Sequence, residues 1–514
     1  MNVFRKWGEL MVLSLALAII IIDSTLLNVS LSTLIRDLNT TLQKLQWVIS
    51  AYSLILAALT VTGGRMGDLF GRKRMFMTGA VIFVVGAVIA SVSHSFTVLL
   101  LGESIVEGIG AALMMPSTAA LLVAKYRGHD RAVAFGIWGG VAAAASAIGP
   151  ILGGFLTTHY SWRWGFRINV IVVAVLLIGS RLIDDARDER EKSIDWIGVL
   201  LSSVGLFLVV FGIIESESYG WLRARKPFPL WQAGSISIAP IALLAGVAVV
   251  AIFCLWEWRM EARGGTPIVS MQLFRNTEFV AGAGVIGILM LAQNGVIFSL
   301  PVFLQSVKRL DALHTGLTLF PMSLMLLIVS PLAAKFSKRI AHKRLVQTGL
   351  VLNTIAIVVL RFTLNWPAPA LALYGIGLGL VLSQINNLTL SAVPVRDAGE
   401  ASGVANTFRQ VGIAFGAATI GAVMISTILV RLDAAVPPQS KPAVAKILNA
   451  NAAELAFGES SALKELPPAV VKLRPAATTV GIERALLWCA LFALVGLAVS
   501  AFLPLRPQGD NRAS

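Results

Sequence analysis

Cysteine and histidine are almost missing from this chain of 514 residues, which has two of the first and five of the second. Cys254 and Cys489 both fall inside apolar runs, which excludes a disulfide framework and a cysteine-built metal site. The histidines are scattered without ligand spacing. No nucleophile, base or metal set converges with them, so the reading is not an enzyme and no metal is implied. Charge is scarce as well: Asp, Glu, Lys and Arg make up 13% of the chain, against about a quarter in a soluble domain. Apolar residues reach 56%, and the mean hydropathy is +0.80. Those values exclude an ordinary soluble protein and point to a lipid bilayer as solvent. Acids are the rarer charge, 27 Asp plus Glu against 42 Lys plus Arg, for a net charge of +15. The cations lie in short loops between apolar runs rather than on one soluble face. Membrane topology therefore accounts for the charge, and nucleic acid is not implied as a partner.

A hydrocarbon core about 30 Å thick needs roughly 20 apolar residues per helix. Spans are predicted near 10–31, 46–63, 76–93, 97–124, 132–158, 166–183, 195–214, 234–256, 279–305, 313–333, 345–362, 368–393, 401–429 and 482–503. The fold class is therefore an all-α polytopic membrane protein with fourteen transmembrane helices. The first run follows Arg5 and Lys6, but it carries Asp23 and outruns a signal peptide, so it is read as a retained span. Basic loops at 63–75, 125–131, 181–192 and 335–344 fall on one side of this topology. Roughly 24 cations on that side face about 10 in the short loops opposite, which places both termini in the cytoplasm. Residues 431–481 form the one long outer loop, an interfacial lid or a solvated connector.

Within the spans, polar residues stand out. Asp23 lies about 20 Å along the first span at 1.5 Å per residue, where an acid costs about 2.5–3.5 kcal/mol. Such a side chain serves transport or is satisfied by Thr25, Asn28 or a neighbouring helix. Glu103 and Glu107 are four residues apart on one face of the fourth span. Two buried acids cannot both ionise cheaply, so one should carry a proton. Together Asp23 and Glu107, with Glu103, form the candidate proton and cation site; the alternative places Glu103 at the outer interface. The second half adds Gln293, Asn294, Gln384, Asn386, Asn387, Asn406, Arg409 and Gln410, which bond other helices or line a cavity. Arg409 lies too deep for a loop cation and should face a carboxylate or the inner vestibule. Asn28, Met114, Met115, Gln293, Asn294, Phe298, Asn386 and Phe408 are candidate cavity residues, with ordinary packing as the other reading.

The stretch GGRMGDLFGRKRM, residues 63–75, combines Gly64, Asp68, Gly71, Arg72 and Lys73 in a spacing that resembles the loop between helices 2 and 3 of the major facilitator superfamily. Further stretches resemble its fourteen-helix drug:proton antiporter branch. They are Asp23-x-Thr25-x-x-Asn28, the aromatics Trp47 and Tyr52, Gly108-Ile109-Gly110, the SWRWGFRIN segment and SAVPVRDAGEASGVANTFRQVGIAFG. Gly140, Gly149, Pro150, Gly153 and Gly154 resemble the element that marks antiporters within that superfamily. The chain departs from the pattern at Ser32 in place of a proline, at Ser104 in place of an arginine, and at Glu107 in place of a glutamine.

The resemblance implies a major facilitator fold: a six-helix bundle over 1–194, two inserted helices and linkers over 195–278, and a second six-helix bundle over 279–514. It implies that the 63–75 element latches the halves together on the cytoplasmic side. SPLAAKFSKRIAHKR looks like a degraded copy, with Ala334, Lys338 and Ala341 at the first glycine, acid and second glycine positions. The implied function is proton-coupled antiport exporting amphiphilic, cationic small molecules, powered by the proton gradient with no cofactor. The implied setting is a multi-pass monomer in the lipid bilayer of a bacterial cytoplasmic membrane. Export of one metabolite, lipid or antibiotic is the same-fold alternative, and a receptor that moves no protons is the other.

Overall fold

The computed structural model describes residues 3–40, 42–184, 195–222, 224, 228, 236–265, 267–310, 312–337, 339–394, 397–436, 444, 447–448 and 466–505. Among them are fourteen helices long and apolar enough to cross a membrane. One half consists of α1 (Val3–Asp37), α2 (Leu42–Phe70), α3 (Arg72–Ser91), α4 (Phe96–Lys125), α5 (Gly128–His159) and α6 (Arg163–Gly179). Then come α7 (Trp196–Tyr219) and α8 (Ile238–Ala262). The other half is α9 (Thr277–Ser306), α10 (Ala312–Phe336), α11 (His342–Phe362), α12 (Ala368–Ser391), α13 (Ala398–Asp433) and α14 (Pro468–Val499).

Each half surrounds its own apolar core, with Leu13, Ile20, Phe83, Phe135 and Val173 in the first and Val285, Leu300, Val346, Ile385 and Ile482 in the second. The halves meet where α2 packs along α13 and α5 packs along α10 and α12. Side chains on the lipid side of α8 and α11, such as Leu244, Ile252, Leu255, Ile355 and Phe362, are exposed. A bilayer covers such faces without cost, which is why a membrane protein leaves them apolar.

Three expectations change. The stretch 63–75 is not an open loop. α2 runs through Phe70 and α3 starts at Arg72, so only Gly71 breaks the helix, at φ 102°. Only glycine adopts that backbone angle readily, and Gly71→Val is expected to lower the thermal unfolding temperature measured in detergent. The long loop is shorter than 431–481, because residues 468–481 begin α14. Pro468 presets the first helical turn, and the next turns are held by packing: Val470, Arg474, Ala477 and Thr478 are buried, and Arg474 Nη2 donates to Ser306 O at 3.3 Å. Most of what remains of that loop lies outside the described residues. The inserted pair is not simply peripheral. α7 covers the seam between the halves, where Val210 and Ile213 pack with Leu54 and Ala57 of α2 and with Ala414 and Ala418 of α13. α8 lies outside it, packed mainly on α7.

Candidate functional site

The fourth span is not one regular helix. Residues Leu100–Glu107 form a π-helix between the α-helical turn Phe96–Leu99 and the α-helix Gly108–Lys125. Such insertions are rare and cluster at functional sites. Here α4 presses closely on α3: a Cβ on Gly86 would lie 2.6 Å from both Gly102 O and the Glu107 backbone nitrogen. The wider turn carries Glu103 and Glu107 into the protein, at 1% and 0% exposure.

Asp23 of α1 meets them there. One oxygen from each of Asp23, Glu103 and Glu107 falls within a set whose members lie within 4.8 Å of one another. Asn169 Nδ2 on α6 donates to Asp23 Oδ1. Asp23 Oδ2, Glu103 Oε2 and both Glu107 oxygens have no hydrogen-bond partner when read as acceptors, and neither does the buried Tyr52 hydroxyl. No described ion pair brings a cation to any of the three. At about 4 Å and an effective dielectric constant of 20, each pair of carboxylates would repel by about 4 kcal/mol. The three acids therefore cannot all be ionised without a cation among them, and the neutral forms can donate to one another.

The helix 5 glycines explain why α1 sits where it does. A Cβ on Gly149 would lie 1.9 Å from Thr25 Oγ1 and 3.2 Å from Ile22 O, and one on Gly153 would lie 3.0 Å from Leu26 O. These glycines let α5 touch the backbone of α1 on either side of Asp23. Gly140 faces Ser330 of α10 instead, and Gly154 is half-buried. The side chains of Pro150 and Asn28, and Lys338, lie outside the described residues. Gly149→Val is expected to destabilise the protein by about 1–3 kcal/mol through overpacking, read as a lowered thermal unfolding midpoint. Ser104, at the position where the resemblance expects an arginine, donates to Val48 O at 2.7 Å and ties α4 to α2.

The structure does not bring every candidate to this centre. Arg409 faces no carboxylate among the described residues; its Nη2 donates to Asn386 Oδ1 at 3.1 Å within the second half. Asn294 Nδ2 donates to Ile413 O at 2.9 Å, so it ties α9 to α13. Met114 and Met115 are buried in the first core, Phe298 packs against the second, and Phe408 packs against the first core from α13. Gln293 Oε1 is buried without a partner. Sequence reasoning missed Asn169 as the ligand of Asp23 and Tyr52 as a neighbour of the acids. The signal for Asn169 is the one amide in its span, at the start of the apolar run 170–178.

At the other end of the molecule the 63–75 element joins the halves. A Cβ on Gly64 would lie 2.4 Å from Gly399 O, so α2 and α13 cross at backbone contact. Asp68 is 2% exposed. Its Oδ1 accepts from Arg72 Nε at 3.0 Å and Nη2 at 2.8 Å, and its Oδ2 accepts from the Glu400 backbone N–H at 2.8 Å. That places a carboxylate on the positive N-terminal end of α13. Arg65 pairs with Glu400 at 3.7 Å, Arg72 Nη1 donates to Ala120 O at 3.3 Å, and Lys73 Nζ donates to Ile183 O at 2.8 Å.

Two six-helix halves, three buried acids inside the first and a polar junction between the halves at one end are the arrangement of a membrane carrier. The chain belongs to the major facilitator superfamily, whose family description, Major Facilitator Superfamily, matches residues 13–417. It is 30% identical over 447 residues to the multidrug resistance protein Stp of Mycobacterium tuberculosis, covering 84% of this chain and 80% of that protein. With the multidrug efflux pump LfrA of Mycolicibacterium smegmatis it shares 28% identity over 504 residues, 96% of each chain. Among solved structures, the human organic anion transporter MFSD10 superposes with a TM-score of 0.58 at 12% identity. That match covers 95% of this chain and 99% of that one, and it shows the fold.

Proposed function

We propose that this protein is a proton-coupled antiporter that exports amphiphilic, cationic small molecules across a bacterial cytoplasmic membrane. The observation that carries this reading is the group Asp23, Glu103 and Glu107, three buried acids within reach of one another and with no ion-paired cation among the described residues. A lipophilic cation entering this region supplies the missing positive charge and drives a proton off the group; protons from outside then displace the cation. Recognition by charge and apolar surface accepts many shapes, as the names of Stp and LfrA report for those relatives. Gly149 and Gly153 hold Asp23 in register with α4, and the Asp68 latch closes the cytoplasmic side when the site faces out. The energy source is the proton gradient, and the working unit is a monomer with both termini in the cytoplasm.

In inverted membrane vesicles, ethidium should accumulate only when the interior is acidified, and nigericin should stop it. Equal accumulation with and without the gradient would rule out antiport.

A further inference from the structure

The latch has a component from outside the two six-helix halves. Residues 267–276 leave α8 and lead into α9. Ile268, Val269 and Leu273 of this strap are buried in the apolar cluster of the first half, which also takes in Leu390, Val393 and Ala398 from the start of the junction with the second. The Ser270 backbone N–H donates to Glu400 Oε1; the same carboxylate pairs with Arg65, and the Glu400 backbone N–H donates to Asp68 Oδ2. Glu261, at the end of α8, fixes that strap: its Oε1 accepts from Ser270 Oγ and its Oε2 from the Met271 N–H, both at 3.0 Å. Glu257 Oε2, one turn back, accepts from the Val269 N–H at 3.3 Å.

The start of α7 closes the ring. Asp195 caps α7 by accepting from the N–H groups of Ile197 and Gly198 at 3.1 and 3.0 Å, and it also accepts from Trp256 Nε1 of α8 at 2.6 Å. Asp195, Val199 and Ile268 share a small crevice with Thr62, Arg65, Met66 and Leu69 of α2.

We infer that the inserted helix pair is part of the gate: its strap, anchored by Glu261, binds Glu400 and holds α13 against α2. Glu400 is a positioning residue that joins three bodies: α2 through Arg65, the inserted pair through Ser270, and α13 to which it belongs. When the halves rock apart, the strap must release Glu400 or move with α13. The pair therefore biases the carrier toward the latched state. This inference rests on the alternating-access reading above.

The test uses the full chain in nanodiscs with Cys254→Ala and Cys489→Ala, spin-labelled at Arg74→Cys and Arg344→Cys. Both positions are exposed at this end, on opposite halves. Double electron–electron resonance then reads the fraction of molecules with the halves apart. Glu261→Gln touches neither Asp68 nor Arg65, yet it should raise the ratio of long to short distances about three- to tenfold, the range for losing one or two hydrogen bonds. Ser270→Ala should act in the same direction, which covers the case of a Glu261 variant that fails to fold. Glu261→Gln should add little once Asp68→Asn has opened the latch. If Asp68→Asn lengthens the distances while Glu261→Gln and Ser270→Ala leave them native, the inserted pair has no part in the gate and the inference is wrong. If Asp68→Asn changes nothing either, the rocking reading itself fails.

Discussion

Glu107→Gln is expected to leave a folded protein that no longer exchanges protons for a lipophilic cation. Glu107 is the middle acid, with its carboxyl in reach of both Asp23 and Glu103, and neither of its oxygens has another partner. Glutamine keeps the shape and can still donate from its amide, so packing against Gly86 and α3 survives. What it removes is the proton that the group must give up. In proteoliposomes with an imposed pH gradient, tetraphenylphosphonium should dissipate the gradient about a hundredfold more slowly with Glu107→Gln, the lower end of what losing a proton-transferring group costs. Asp23→Asn should do the same, since its charge sits at the same centre. Glu103→Gln should have a smaller effect, because the hydrogen bond of Glu103 within this group goes to Glu107, whereas Glu107 reaches both other acids. Loss with Asp23→Asn but native exchange with Glu107→Gln would give Glu107 a structural role.

Gly64→Val is expected to open the latch. The new side chain would start 2.4 Å from Gly399 O, and its neighbours there are backbone atoms that cannot rotate away. α2 and α13 must separate, and Asp68 then loses the Glu400 N–H that it now accepts. Ser402 offers a probe, since it is buried on α13 with its Oγ donating to Pro116 O across the seam at 3.3 Å. With Ser402→Cys in a background of Cys254→Ala and Cys489→Ala, which leaves one thiol, maleimide labelling should be slow. Adding Gly64→Val should raise the labelling rate at least about tenfold, as expected when losing a buried interface contact costs more than about 1.4 kcal/mol. Unchanged labelling would mean that the glycine crossing does not hold the halves together.

Much of this is legible in the sequence. Span count follows from apolar length alone, because the bilayer fixes that length and fourteen runs meet it. Asp23, Glu103 and Glu107 were conspicuous because acids in apolar spans are costly. Their meeting rests on depth along two neighbouring helices, which sequence spacing gives directly. The π-helical turn is not legible: it lies where α4 meets α3 at Gly86 and Gly102, a tertiary contact that hydropathy does not encode. For a related reason the sequence leaves Arg409 between a carboxylate and the inner vestibule. Its depth was right, but sequence gives no azimuth between helices of different halves, and the partner is Asn386 rather than an acid. The start of α14 is hidden in the sequence because Lys472 and Arg474 lower its hydropathy, while Val470 is buried and Arg474 bonds Ser306 O at the end of α9.

The central claim is that the three acids hold protons that a cationic substrate displaces. The direct measurement is proton release on binding, followed with a pH indicator in weakly buffered detergent solution as tetraphenylphosphonium is titrated into the purified protein. The account predicts release of about one proton or more per cation bound, falling to near zero in Asp23→Asn combined with Glu107→Gln. Saturable binding of the cation with no proton released by the native protein would contradict it.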